Sequence, residues 1–418
     1  MEYVIIGNGI AGVSAAEAIR RLDQRGNITL IADEDKPPYC RPMVSNLLAG
    51  SITADRLAIR PSSFYHDLHI DPFLGNRVEL IDLEAKKILV ANTDAAVSFD
   101  RLLIASGADP RSVTVPGSPL SGIFYLRSQA HVQSILSGLQ PADEAVVIGG
   151  GLVGLKTAHA LQRRGQRVTM LIRSAYPLSM QVDETAGEII LARLRQHGLQ
   201  VMVGAELAEF HGQGEKLKSV VLADGREIPA GCAVIGKGVT PSTSFVPHDH
   251  PALGPGRGIV VDEHLETTVP GIYAAGDVAE TMDIARQVRR VNAIWPEAVQ
   301  QGIIAGMNMA GRQVIYQGSL SRNVMRFYGL DVMTAGLVVP PTDDDSYEVI
   351  SSLNARKSKY HKLVFRHDRL VGMIMINDLE QGGVLLSLIR RGLPVQGRKE
   401  RLLESGFQVG KLIPGIYL

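Results

Sequence analysis

Cysteine is nearly absent from this chain: only Cys40 and Cys232 occur among 418 residues. Two cysteines exclude a disulfide scaffold, and they exclude a cysteine-ligated iron–sulfur or zinc site within the chain, since each needs about four ligands. They are also too far apart for a Cys-x-x-Cys dithiol. Excess charge is lacking as well. Lys plus Arg and Asp plus Glu both number 43, so bulk charge points to neither nucleic acid nor a membrane surface. No apolar run approaches the length of a membrane span. The strand-like run Glu2–Ile6 leaves no room ahead of Gly7 for a signal peptide, and the expected location is the cytoplasm. No metal site is expected: His248-Asp249-His250 lies between Pro247 and Pro251 without a further ligand nearby. No Ser-His-Asp arrangement is legible. The acidic run Asp343-Asp344-Asp345 reads as a solvated loop.

What is present is an ordinary globular composition, 45% hydrophobic and 21% charged, in a chain long enough for two or three domains. Its organising pattern is a repeat at an offset of 142 residues. Tyr3-Val4-Ile5-Ile6-Gly7-Asn8-Gly9-Ile10-Ala11-Gly12 is matched by Ala145-Val146-Val147-Ile148-Gly149-Gly150-Gly151-Leu152-Val153-Gly154. Each copy is an apolar run, a G-x-G-x-x-G turn, an Ala-containing helix ending near Gly26 or Gly165, and a second apolar run (Ile28 to Ile31, Val168 to Ile172). These are two β-α-β units of the dinucleotide-binding kind. The first glycine makes the tight turn, the second admits a pyrophosphate to the backbone amides, and the third packs helix on strand.

Two further strand-to-turn segments stand out, Asp100 to Gly107, with Ala105-Ser106-Gly107, and Gly271 to Val278, with Gly276-Asp277 leading toward another helix. The expected fold is α/β: two Rossmann-like dinucleotide-binding domains plus a small C-terminal α+β domain. The expected boundaries are 1–110 and 255–315 for the first domain, 111–254 for the second inserted between its halves, and 318–418 for the tail. The tail is expected to hold strands Val324 to Tyr328, Lys362 to Phe365 and Leu370 to Ile376, then a helix Leu379 to Arg390.

Both glycine turns, Ala105-Ser106-Gly107, Gly276-Asp277 and Pro38-Tyr39-Cys40-Arg41-Pro42-Met43-Val44-Ser45 together resemble the pyridine-nucleotide-dependent FAD oxidoreductases. The nearest branch is the ferredoxin-reductase, rubredoxin-reductase and nitrite-reductase-N-domain type, with domains in the glutathione-reductase-like arrangement. The resemblance implies that Gly7, Gly9, Ala11 and Gly12 wrap the FAD pyrophosphate, and that Asp33, with Glu34 as the fallback, takes the adenosine ribose. It implies that Val78 meets the adenine through its backbone, and that Arg41 approaches the pyrophosphate or flavin edge. Ala105, Ser106, Gly107 and Arg127 join the FAD site, Asp277 beside Gly276 holds the ribityl chain with a helix N-terminus aimed at the flavin, and Trp295 lies by the isoalloxazine. Gly149, Gly151 and Gly154 would hold NAD(P)H, with Gly238 on the nicotinamide side.

Three positions depart from that family's pattern. The ribose acid usual at the end of the second module's second strand is replaced by Ile172, followed by Arg173, so NADH versus NADPH stays open. The usual Lys–Glu pair beside the flavin is replaced by Asn46 and Lys156, putting a cation on the opposite partner in the flavin and nicotinamide environment.

Without a dithiol or a metal centre of its own, the chain is expected to pass electrons from flavin to a separate iron–sulfur carrier or subunit, ferredoxin- or rubredoxin-like, or in reverse to NAD(P). Two other readings compete. Cys40, beside Arg41, would be the redox thiol of a single-cysteine NADH oxidase, peroxidase or disulfide reductase; or the chain is a nucleotide-sensing scaffold. Oligomeric state, homo- or hetero-, is open. Arg286, Arg289 and Arg290 form a candidate docking patch for an acidic carrier, against the alternative of a solvated face or local salt bridges. Arg390, Arg391, Arg398, Lys399 and Arg401 form a second candidate surface.

Overall fold

The computed structural model describes residues 1–91, 93, 96–140, 144–247, 251–395, 397 and 399–404. Both repeats form the same sheet. In the first, parallel strands lie in the order Ile272–Ala274, Arg101–Ile104, Glu2–Ile6, Asn27–Ala32, Ile70–Leu74. In the second the order is Ile123–Tyr125, Cys232–Ile235, Glu144–Ile148, Arg167–Ile172, Gln200–Val203, again all parallel. The glycine turn follows the central strand each time, where strand order reverses and α/β sheets bind ligands. Strands buried on both faces read as continuous apolar runs; Ile5, Ile28, Leu30, Ile31, Leu102 and Leu103 are fully buried in the first core.

The repeat extends further than its opening motif. Each module carries a three-stranded antiparallel meander after its third strand, Val78–Asp82, Lys87–Val90 and Ala96–Ser98 in one, Leu207–Gln213, Lys216–Leu222 and Glu227–Pro229 in the other. The tail is a five-stranded antiparallel sheet, in the order Arg322–Phe327, Leu330–Gly336, Arg369–Ile376, Lys359–Arg366, Tyr347–Asn354, with helix Gly382–Arg391 on it. The α/β class with two Rossmann-like modules and a C-terminal α+β domain is thus as expected. The late helix begins at Gly382 rather than Leu379.

The chain divides into two compact units. The first comprises Met1–Val44, Ile52–Asp109 and Val239–Ser319; the second comprises Ser45–Ser51, Pro110–Gly238 and the chain from Leu320 onward. The division falls at Gly238, earlier than the 254–255 expected, because Val239–Pro241 pairs with Ala108–Pro110 and Ser242 donates its N–H to the Gly107 carbonyl. The C-terminal sheet clusters with the second module. Lys362 Nζ and Tyr360 Oη donate to Asp183 Oδ2, at 3.0 and 2.7 Å, while Asp183 Oδ1 caps helix Glu184–Gln196 through the Ala186 N–H. Tyr328 Oη donates to Gln162, and its ring lies 4.9 Å from those of His159 and His197.

One helix pair shapes the first module. Helix Trp295–Met309 lies against helix Ile10–Leu22, and a Cβ at Gly302 or Gly306 would collide with the backbone of Ala11 or Ala15. Small residues four apart on one helix meet small residues four apart on the other, so the backbones approach closely.

Candidate functional site

Each glycine turn separates residues required by packing from residues the fold leaves open. Gly7 and Gly149 have φ of 117° and 126°, and a Cβ on them would strike the Ala105 and Gly236 carbonyls. A Cβ on Gly12 or Gly154 would strike the Gly7 or Gly149 carbonyl. Gly9 and Gly151 differ: a Cβ there meets nothing within 4 Å. Both are N-caps without a side-chain cap, and neither helix has an acidic residue in its first turn. Two helix N-termini therefore present bare amides to open space, the arrangement that receives a phosphate. In the first turn the Asn8 side-chain oxygen is buried with no partner, although its Nδ2 donates to Tyr65 Oη and the Lys36 carbonyl. The cradle and the orphaned oxygen fit a dinucleotide.

The second strand of the first module ends at Ala32, leaving Asp33 exposed. Glu34 is engaged: Oε1 accepts from Arg41 Nη2 at 2.5 Å and Oε2 from Tyr39 Oη at 2.7 Å. Arg41 also lies over the Tyr39 ring at 5.1 Å, so this ion pair fixes the Pro38–Pro42 segment. Cys40 is half-buried there, immediately before the short helical turn Arg41–Met43.

Ala105, Ser106 and Gly107 follow the strand paired to Glu2–Ile6, with Ala105 against Gly7 and Ser106 Oγ donating to the Ser242 carbonyl. Their counterparts in the second module are Gly236-Lys237-Gly238, after the strand paired to Glu144–Ile148. Sequence reading singled out Gly238 alone; aligning the two fourth strands, Leu102 to Ser106 with Ala233 to Lys237, would have found the others.

The helix toward which Gly276-Asp277 leads does not follow at once. The chain instead forms strand Ala279–Asp283 and strand Val288–Arg290, and the next helix begins at Trp295. That helix still reaches the turn: Gln301 Oε1 accepts the Gly276 N–H at 2.8 Å, Gln301 Nε2 donates to Tyr316 Oη at 3.2 Å, and Tyr316 Oη donates to the fully buried Glu297 at 2.5 Å. Sequence reading missed this network, whose members are apart in the chain. Asp277 is half-buried, Trp295 packs on the first core, and Val78 is buried at the head of its meander.

Asn46 and Lys156 both belong to the second unit and both are exposed. The segment carrying Asn46 is tied to the second module by Arg164 Nε, which donates to the Leu48 carbonyl at 2.7 Å. Arg127, half-buried, is also in that unit. Gly238 is exposed, with φ 91°. Arg173 is exposed and 3.8 Å from Glu206.

Of the two readings of the arginine patch, docking surface or solvated face with local salt bridges, the contacts of Arg286 and Arg289 favour the second. Arg286 pairs with the fully buried Asp283 at 3.2 Å, and burial lowers its pKa with Asp283 opposing. Arg289 donates to the Val261 carbonyl at 2.6 Å. The alternative of local salt bridges holds for Arg286, because a guanidinium held beside a buried carboxylate is not available to a partner. In the second surface, Lys399 is shared between Glu348 and Asp368, and Arg401 lies 3.8 Å from Glu404. Arg398 and His248-Asp249-His250 lie outside the described residues.

Residues 1–302 match the model of the pyridine nucleotide-disulphide oxidoreductases. The chain belongs to this family. FAD and NAD(P)H are the cofactors of its two modules. Residues 322–393 match the rubredoxin NAD+ reductase C-terminal domain. The chain is 29% identical over 387 residues to the rubredoxin-NAD(+) reductase of Pseudomonas putida, covering 92% of this chain and 98% of that protein. It is 26% identical over 403 residues to the assimilatory nitrate reductase electron transfer subunit of Bacillus subtilis (strain 168), covering 96% of this chain but 51% of that protein. The chain thus spans about half the length of some curated relatives it matches. Its fold is like that in the crystal structure of the covalent putidaredoxin reductase–putidaredoxin complex, with TM-score 0.87, 24% identity, and 98% and 97% of the two chains covered. Among the described residues no helix is long and apolar enough to cross a membrane.

Proposed function

We propose that this chain is a flavoprotein reductase that exchanges hydride with a nicotinamide nucleotide and single electrons with an iron–sulfur carrier protein or subunit. The observation that carries it is the pair of glycine cradles, each with a middle glycine that packing does not need, in a chain that also has a rubredoxin-reductase-type C-terminal domain. FAD supplies the conversion between two-electron and one-electron transfer. Gly7, Gly9, Ala11 and Gly12 hold its pyrophosphate, Asp33 its ribose, and Asp277 its ribityl chain. Ala105, Ser106, Gly107, Val78, Arg41, Arg127 and Trp295 complete this assignment. Glu34 serves by fixing Arg41, as their 2.5 Å ion pair suggests. Gly149, Gly151, Gly154 and Gly238 take the nicotinamide nucleotide, with Lys156, as a cation, and Asn46 as the candidate catalytic residues of the same unit. A cytoplasmic setting goes with this reading, because the nicotinamide coenzymes it draws on are intracellular.

A relative matched over 98% of its length is named for a rubredoxin, and the matched tail for the same reductases, which favours a protein acceptor over turnover at Cys40. The test is anaerobic mixing of the purified protein with NADH or NADPH, followed by a ferredoxin- or rubredoxin-type acceptor. Flavin bleaching on the first addition and acceptor reduction on the second are expected. Bleaching without transfer to any iron–sulfur protein, together with turnover of peroxide or a disulfide, would put the Cys40 reading in its place.

A further inference from the structure

The two modules can be compared residue by residue where their second and third strands end. In the first, Ala32 pairs with Leu74, Gly75 turns at φ 74°, and the Asn76 N–H bonds back to the Ala32 carbonyl at 2.8 Å. In the second, Ile172 pairs with Val203, Gly204 turns at φ 64°, and the Ala205 N–H bonds back to the Ile172 carbonyl at 2.9 Å. The meanders then open at Val78 and Leu207. This register equates Asp33 with Arg173 and Arg77 with Glu206. The charges are exchanged: the first module has its acid after the second strand and its base after the third, and the second module has the reverse. In the second module the two ends meet, with Arg173 Nε 3.8 Å from Glu206 Oε1.

We propose that Glu206 is the ribose-binding carboxylate of the second module, supplied by the third strand instead of the second, and that it selects NADH. The inference rests on the reductase reading of that module. A carboxylate accepts hydrogen bonds from the adenosine ribose hydroxyls, and it repels a 2′-phosphate placed against it. Arg173 does not reverse this choice. A 2′-phosphate reaching its guanidinium must displace Glu206 and remain beside that carboxylate's charge. The pair is exposed, 84% and 53% for the two side chains, so it opens readily to admit a ligand.

The test titrates the full-length flavoprotein with NAD+ and NADP+, which leave oxidised flavin unreduced, and follows the heat of binding. The unaltered protein should bind NAD+ more tightly. Glu206→Gln should weaken NAD+ about tenfold or more, the loss of a charge-assisted contact, and should leave NADP+ unchanged or improved. Glu206→Arg, beside the retained Arg173, should turn the preference to NADP+, and Arg173→Ala should weaken NADP+ more than NAD+. Because Glu206 is exposed, these changes should leave the unfolding temperature in place. A ratio of affinities that Glu206→Gln does not move, or an unaltered protein that prefers NADP+, overturns the assignment alone. A flavoprotein that binds neither nucleotide overturns the reductase reading, and the assignment with it.

Discussion

Gly9→Ala tests whether the open glycines face a ligand or merely fill a turn. Gly9 has φ −79° and ψ 179°, a conformation any residue adopts, and a Cβ meets nothing within 4 Å. Replacing glycine at an allowed conformation restricts the unfolded chain and stabilises by about 0.4–1 kcal/mol. Alanine is the poorer N-cap by a similar amount, so the flavin-free protein should change by less than about 1 kcal/mol. Its FAD should not survive as well. A methyl group at the helix N-terminus holds a pyrophosphate off the amides, and each charge-assisted hydrogen bond lost is worth about 1.5–3 kcal/mol, or roughly 10- to 150-fold in affinity. Gly12→Ala is the contrast, since its Cβ strikes the Gly7 carbonyl and the apoprotein itself should lose about 1–3 kcal/mol. Gly151→Ala should keep the yellow colour and lose the nicotinamide nucleotide. The assays are flavin content and FAD affinity on reconstitution, beside urea unfolding of the apoprotein. Wild-type FAD affinity in Gly9→Ala, or an apoprotein destabilised as much as in Gly12→Ala, refutes the division of the glycines.

Three other outcomes are expected. Asp183→Ala leaves the Lys362 ammonium buried without its partner and removes a helix cap, so chemical denaturation should show a loss of about 3–5 kcal/mol, and adding Lys362→Met should recover much of it. Cys40→Ser should keep most NAD(P)H-dependent acceptor reduction with FAD still bound; abolished turnover would make Cys40 the redox centre. Burial, reinforced by Arg163, lowers the His159 pKa below its ordinary 6.5. The folded state therefore resists protonation there, and stability present above about pH 6.5 should be lost as pH falls through the folded value. His159→Gln should flatten that part of the stability–pH curve, measured by urea midpoints between pH 7 and 5.

The glycine turns were legible because each is a local signal, a few residues whose backbone demands are written in their identities. Strands Glu2–Ile6, Asn27–Ala32, Arg101–Ile104 and Ile272–Ala274 were legible for the same reason, as short apolar runs beside turns, whereas Ile70–Leu74, with a polar and a proline residue inside it, was not. Strands Leu330–Gly336 and Tyr347–Asn354 were not. The second is an edge strand with mostly exposed side chains, so it carries little apolar pattern. The helix after Asp277 comes later than the sequence alone shows, because the hairpin of Ala279–Asp283 with Val288–Arg290 intervenes, a pairing that local sequence does not mark. Glu206 and Gln301 were invisible for a related reason. Strand register brings Glu206 to Arg173, and a helix crossing brings Gln301 to Gly276, and neither leaves a mark in local sequence.

The contact between helices Ile10–Leu22 and Trp295–Met309 has a consequence for synthesis. The first helix leaves the ribosome early, while Gly302 and Gly306, which close on Ala11 and Ala15, follow about 290 residues later. At the usual ~5–20 residues per second, that interval is roughly 15–60 s. During it the nascent first module has strand Glu2–Ile6 and the glycine cradle, but lacks both strand Ile272–Ala274 and the Gln301 side chain that holds the Gly276 amide. The five strands of the second module all emerge within one stretch, Ile123 to Ile235, and can assemble first. The module that begins the chain is then the later of the two to close, and a nascent chain arrested before Gly302 should emerge colourless.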